Sequence, residues 1–198
     1  MIPRPWVVLL AAGASRRFGG AKLLVRVGGE TLLRRSARVA LASQPAGVVV
    51  VLGARAIRMQ RELRGLPVQV VINRRWRSGM ASSLRTAIRG LPPNAPAALV
   101  LLADQVAIGP ADLALLIAAW QRRPRAIVTA RADAIRCPPA VLPRHAFPVL
   151  CRLRGDTGAR RILADPERSV IEFEMPRAAL DVDRPADLEA TAHLAVIS

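Results

Sequence analysis

Short apolar runs alternating with stretches of helical period predict an α/β chain, a mostly parallel sheet covered by helices on both faces as a three-layer sandwich. Length and composition agree. A chain of 198 residues suits one domain, 1–198, that buries roughly 70% of the surface its unfolded form exposes. With 52% hydrophobic residues but 3% aromatics and no tyrosine, the core has to be aliphatic.

Strands are expected at 6–11, 47–52, 68–72, 97–103, 126–130 and 169–173, each an apolar run bounded by glycine, proline or charge. Helices are expected between them at 32–41, 54–63, 80–88, 110–120 and 157–163. A last helix at 185–194 would have Pro185 in its first turn with Asp183 or Arg184 leading in. The stretch 131–154, with Pro138, Pro139, Pro143 and Pro148, is the least regular and is expected to form a subregion over the site. Arg4 followed by apolar residues and small ones imitates a secretion signal, but the same residues read better as a buried first strand and its glycine turn. No apolar stretch reaches the roughly 18 residues of a membrane span, so no membrane partner is expected.

The formal net charge of +16 would ordinarily favour a nucleic-acid partner. Here the arginines are scattered through almost every segment and stacking aromatics are scarce, so nucleic acid is not expected and anionic small substrates are. Cys137 and Cys151 form no C-x-x-C pair, which argues against zinc and for two free thiols in a reducing cytoplasm.

Lys22 is the only lysine among the 30 basic residues, and it closes a loop of small residues that follows the first strand, Ala11-Ala12-Gly13-Ala14-Ser15-Arg16-Arg17-Phe18-Gly19-Gly20-Ala21-Lys22. Small residues let backbone N–H groups approach an anion, and an ammonium can follow a phosphate that moves during reaction. The loop fits neither a Walker loop, which needs four residues between its glycines and then Lys-Ser/Thr, nor G-x-G-x-x-G. In an open parallel sheet, ligands bind beyond the carboxyl ends of the strands. Asn73 and Asp104 also fall at such ends. A carboxylate closing a buried strand calls for a cation, and opposite bound phosphates that cation is Mg²⁺. Asp183, near the last helix, either completes this metal site or caps the helix, and Asp156 in Gly155-Asp156-Thr157-Gly158 either caps the helix that follows or faces an anionic second substrate together with Gly158 and Arg160.

Taken in order, these motifs resemble the molybdenum cofactor cytidylyltransferase family: Leu10-Ala11-Ala12-Gly13-x-Ser15-x-Arg17-x-Gly19 with Lys22, Asn73-x-x-Trp76-x-x-Gly79-Met80-x-x-Ser83, Asp104-Gln105, Gly155-Asp156-x-Gly158-Ala159-Arg160 and Asp181-x-Asp183-x-Pro185-x-Asp187. The resemblance implies a Rossmann-like fold and transfer of CMP from CTP to the terminal phosphate of molybdopterin, with pyrophosphate released. It implies Arg17, Lys22 and Asp104 as catalytic residues, Mg²⁺ on Asp104 and Asp183, the nucleotide against Ala11, Ala12, Gly13, Asn73, Gly79 and Ser83, and the acceptor near Asp156, Gly158 and Arg160. A client molybdoenzyme or its chaperone would receive the product. Val106 stands where the family carries proline, and Ile135-Arg136-Cys137-Pro138-Pro139 departs from the family's glycine-rich approach to a proline. The remaining alternatives are a guanylyltransferase acting on the same cofactor with GTP, a sugar- or polyol-phosphate cytidylyltransferase, and a non-catalytic nucleotide or cofactor carrier.

Overall fold

In a computed structural model of the chain, residues 2–156, 158–165, 169–182, 184 and 186–187 are described, without the side chains of Arg160 and Arg161. Seven strands form one sheet: β1 (Trp6–Ala11), β4 (Gly47–Leu52), β5 (Gln69–Ile72), β6 (Ala97–Leu102), β7 (Ile127–Ala132), β8 (Ile135–Pro143) and β9 (Val170–Glu174), in the order β5-β4-β1-β6-β8-β7-β9. Two further strands, β2 (Arg26–Val27) and β3 (Glu30–Thr31), make a small hairpin whose turn, Gly28 and Gly29, takes φ of 60° and 87°. Both values lie in the left-handed region that a tight hairpin demands. The helices are α1 (Leu32–Ala42), α2 (Ala56–Glu62), α3 (Met80–Gly90), α4 (Pro110–Arg122), α5 (Phe147–Leu150) and α6 (Arg160–Leu163).

Burial on both faces explains why the strands read as continuous apolar runs. Side chains alternate along each strand, and the two sets enter different cores. Val7, Leu9, Val48, Val50, Leu99 and Leu101 pack in a cluster with Leu33, Ala37, Leu113, Leu116 and Trp120 of α1 and α4. Val8, Val49, Val51, Ala98 and Val100 pack in another with Leu84, Ala87 and Ile88 of α3 and Leu150 of α5. The result is the expected three-layer, mostly parallel sandwich of Rossmann-like type. Local chemistry sets the helix starts. Thr31 Oγ1 accepts from Arg34 N at 3.3 Å at the head of α1, and Asp112 Oδ2 accepts from Gly109 N at 2.9 Å at the head of α4.

All six expected strands form, and a seventh appears where irregularity was expected. Within 131–154, β8 runs antiparallel between β6 and β7, pairing Ala97 with Pro143, Val100 with Ala140 and Val128 with Val141. Prolines ordinarily exclude a central strand because they donate nothing to the ladder. Here Pro138 and Pro139 sit at a register shift opposite the step from Thr129 to Ala130, where the ladder is already broken. Side chains take over at this point: buried Thr129 donates from its hydroxyl to the Cys137 carbonyl at 2.8 Å, and Gln105 Nε2 donates to the Pro138 carbonyl at 2.7 Å. The helix expected at 157–163 forms as the shorter α6. Of the helix expected at 185–194, residues 186 and 187 are helical and the others lie outside the described residues.

Because Thr129 is fully buried, Thr129→Val keeps its volume but removes the donor at the bulge, and it is expected to cost about 1–3 kcal/mol of unfolding free energy. Thr129→Ser should recover part of this loss. Denaturant titration of the three proteins checks it, and a valine variant as stable as the parent would show that the hydroxyl does not hold the bulge.

Candidate active site

Strands β1, β4, β5 and β6 are mutually parallel, so the loops that leave their carboxyl ends meet on one edge of the sheet. The loop after β1 is pinned by backbone bonds from Ala54 N to the Ala12 carbonyl (3.1 Å) and from Ala103 N to the Leu10 carbonyl (3.1 Å). The approach of β4 to this loop needs a glycine. A Cβ on Gly53 would stand 2.6 Å from the Ala12 oxygen and 2.7 Å from Trp76 Cβ. Gly13 is the opposite case, since beyond its chain neighbours no atom of the described residues lies within 4 Å of where its Cβ would be.

The loop ends in a 3₁₀ turn, Lys22–Leu24, that buries Lys22 to 7% exposure. A buried ammonium requires partners. Lys22 Nζ donates to Asp104 Oδ2 at 2.7 Å and to the carbonyl of Val182. Val182 N in turn donates to the Asp104 carbonyl at 3.2 Å, which ties three segments remote in sequence into one knot just past β6. The two groups expected to face each other across a ligand therefore share the same end of the sheet but touch directly. Asp104 keeps a quarter of its side chain exposed, and its Oδ1 accepts no hydrogen bond from the described residues. The adjacent Gln105 is buried and braces this corner, accepting from Leu102 N and donating to the carbonyls of Pro138 and Ala178.

On the other wall, α3 starts at Gly79, whose φ of +97° and missing side chain leave the helix without a local cap. Asp156 supplies one from 76 residues away, its Oδ1 accepting from Met80 N at 3.2 Å, while Ala81 N donates to the Gly155 carbonyl at 3.0 Å. A Cβ on Gly79 would come within 2.5 Å of Asp156 Oδ1, and one on Gly158 within 2.6 Å of Met80 Sδ. Asp156 is thus a cap, but of α3 and not of the helix that follows it.

Between these walls lies a two-lobed cleft. One lobe, of about 370 Å³, is lined by Ala12, Trp76, Arg77, Gly79 and Ser83, and the other, of about 430 Å³, by Ala11, Arg17 and Lys22; Gly13, Arg16, Asp104 and Asp156 border both. Nine of the residues singled out from sequence meet there: Ala11, Ala12, Gly13, Arg17, Lys22, Gly79, Ser83, Asp104 and Asp156. Asn73 does not line the cleft. It is buried, with Nδ2 donating to Ser82 Oγ (2.8 Å) and Ser83 Oγ (3.0 Å) and Oδ1 accepting from Arg75 N (2.9 Å), so its amide braces the turn into α3. Gly158 packs on Met80, and Asp183 and the Arg160 side chain lie outside the described residues. Sequence reasoning missed Arg16 and Arg77, the latter with its guanidinium 4.6 Å from the centre of the Trp76 ring. A clue to Arg16 lay in its position beside Arg17 in the loop.

The cleft gathers the cations of Arg16, Arg17, Arg77 and Lys22 around the carboxylates of Asp104 and Asp156, an arrangement suited to a polyanionic ligand accompanied by a divalent ion. No group of three or more His, Cys, Asp or Glu side chains forms a metal cage among the described residues, and none of the described helices is long and apolar enough to cross a membrane.

Comparison with known proteins gives the same chemistry a family. The nicotine blue oxidoreductase of Paenarthrobacter nicotinovorans is 33% identical over 170 residues, 79% of each chain, and the purine catabolism protein PucB of Bacillus subtilis (strain 168) is 29% identical over 195 residues, 92% of this chain and 93% of that one. Rv0371c from Mycobacterium tuberculosis H37Rv has a solved structure that matches with a TM-score of 0.84 and 27% identity over 98% of this chain and 100% of that one, and it has also been solved in complex with manganese. The profile of the MobA-like NTP transferase domain matches residues 7–170, from β1 to β9 and across every cleft residue named above, so the chain belongs to the MobA-like NTP transferase family and is a nucleotidyltransferase.

Proposed function

We propose that this nucleotidyltransferase moves CMP from CTP to the terminal phosphate of a molybdopterin-type acceptor in the cytoplasm and releases pyrophosphate. The observation that carries the reading is the contact of Lys22 Nζ with Asp104 Oδ2 at the mouth of a loop whose Gly13 faces open space. The choice of CTP and of a molybdopterin acceptor rests on the family resemblance carried by the motifs from Leu10 to Asp187, and Cys137 and Cys151, neither in a disulfide, accord with a reducing compartment.

In the proposed reaction an oxygen of the acceptor phosphate attacks the α-phosphorus of CTP, and the bond from that phosphorus to the bridging β-oxygen breaks. The nucleophile is already anionic, so no side-chain base is required. The protein's part is to align the two phosphates and to offset charge. Backbone N–H groups of the loop and the guanidinium groups of Arg16 and Arg17 take the triphosphate. Lys22 fixes Asp104 and adds positive charge where the leaving group forms. Ala12, Gly79 and Ser83 border the nucleoside, with Asn73 holding Ser83 from behind. Asp156 sets the acceptor side through its hold on α3, and Arg160 would meet the acceptor's phosphate.

A divalent cation fits the residues present. Asp104 Oδ1 accepts no hydrogen bond from the described residues, and Mg²⁺ is commonly held by one or two carboxylates while substrate phosphates complete its shell. Asp104, with Asp183 next in chain to the anchored Val182, would hold it. When bound, the ion neutralises triphosphate charge. The manganese complex of Rv0371c supports metal dependence.

Lys22→Ala and Asp104→Asn should each lower pyrophosphate release from CTP roughly 10²- to 10³-fold, the range for losing one preorganised charge-stabilising group. Turnover near that of the parent in both variants would remove the assignment. Chelation with EDTA should abolish release and added Mg²⁺ or Mn²⁺ restore it, and rates with CTP, GTP and ATP, with and without molybdopterin, decide nucleotide and acceptor. Release from none of the three, with nucleotide still bound, would favour a carrier.

Two glycine variants separate architecture from binding. Gly79→Ala, placed at positive φ against Asp156 and Gly155, is expected to cost about 1–3 kcal/mol of stability. Gly13→Ala meets nothing within 4 Å and should leave the melting temperature near that of the parent while raising KM for CTP, because its methyl enters the cleft. The reverse pattern in thermal melts and kinetics would misplace the loop.

A further inference from the structure

Behind α3, away from the cleft, a second concavity of about 550 Å³ opens between that helix and the turn at 151–154. Five arginines line it, Arg75, Arg85, Arg89, Arg152 and Arg154, and none of its ten described lining residues is acidic. Among the described residues Arg75, Arg85, Arg89 and Arg152 make no ion pair, whereas Arg136 and Arg131 meet Glu172, and Arg177 meets Asp112. Arg85 and Arg89 are four apart on one helical face, a like-charge spacing that destabilises a helix unless an anion intervenes. The Arg85 guanidinium donates to the Leu153 carbonyl, which fixes the turn that sets Arg152 opposite α3. The amide and hydroxyl groups there are already engaged, since Asn73 Nδ2 is bonded to Ser82 Oγ and Thr86 Oγ1 to the Ser82 carbonyl, and the remaining uncharged polar side chain is the thiol of Cys151, a weak donor. An anionic ligand would therefore be gripped chiefly by guanidinium groups.

We propose that this pocket binds a compact polyphosphate anion, separately from the reaction in the cleft. Guanidinium forks match phosphate oxygens in pairs, and several converging on a concave site favour a dense, short anion over a single carboxylate. An extended nucleic-acid strand would need a groove with stacking platforms, and no aromatic side chain lines this pocket. Two sources share the chemistry, free inorganic polyphosphate and the phosphate tail of a nucleotide.

The test uses calorimetric titration of the full chain with inorganic tripolyphosphate, with CTP, and with a single-stranded RNA oligonucleotide, over a range of salt. Arg89 and Arg152 are exposed, so the double variant Arg89→Glu/Arg152→Glu should fold. It is compared with Arg61→Glu/Arg64→Glu, two exposed residues at the end of α2 and in the turn after it, which makes the same change in net charge. The expected result is two classes of site for tripolyphosphate in the parent and the control. In the pocket variant one class should weaken by about tenfold or more, while pyrophosphate release from CTP stays unchanged. Equal affinity for tripolyphosphate and CTP at this site identifies bare polyphosphate as sufficient, and a clear preference for CTP identifies a nucleotide tail; either supports the proposal. A single class of site, equal weakening in the control, or tightest and steeply salt-dependent binding of RNA would overturn it.

Discussion

The buried ammonium of Lys22 is the constraint from which the rest of this molecule's working end follows. An ammonium withdrawn from water to 7% exposure is tolerable only if oxygens surround it, and those oxygens come from Asp104 beyond β6 and Val182 far along the chain. Meeting that requirement brings the glycine loop, the end of the central strand and the C-terminal segment to one point. It also orients Asp104 so that Oδ2 is engaged by Lys22 while Oδ1 accepts no hydrogen bond from the described residues. In a chain that otherwise uses arginine for its basic residues, the single compact cation stands where a guanidinium fork would have to find room for five donors.

The opposite wall depends on a different economy of backbone space. Gly53 lets β4 approach the first loop, and Gly79 lets the turn at 155–158 dock on α3, so that one carboxylate both caps a helix and borders the cleft. Binding and folding are therefore coupled on this side, since a change that lifts the turn also uncaps α3. Several of the arginines have places that can be named. Some pair with carboxylates along β7, β8 and β9, some border the cleft, and some converge behind α3.

Much of this was legible from the residues. Strands buried on both faces show as apolar runs without alternation, which is why all six expected strands form. Lys22, Asp104 and the loop between Ala11 and Lys22 could be placed because a charge at the end of a buried strand is costly without a purpose. What could not be read depended on tertiary partners. Pro138 and Pro139 disguise β8, because the donors that close its bulge come from Thr129 and Gln105 on other segments. The hairpin at β2 and β3 carries a local signal, the Gly28-Gly29 pair at its turn. Asn73 has the chemistry of a base reader, yet two serines on the next helix claim its amide. Asp156 reads from sequence either as the cap of the helix that follows or as a group facing a second substrate, and sequence distance hides that it caps α3.

The most direct measurement is a crystal structure with a non-hydrolysable CTP analogue and Mn²⁺, located by its anomalous signal. The account expects the ion on Asp104 and the triphosphate, with the phosphates lying along the loop that ends at Lys22. An ion bound away from Asp104, or a nucleotide seated outside the cleft between that loop and α3, would contradict it.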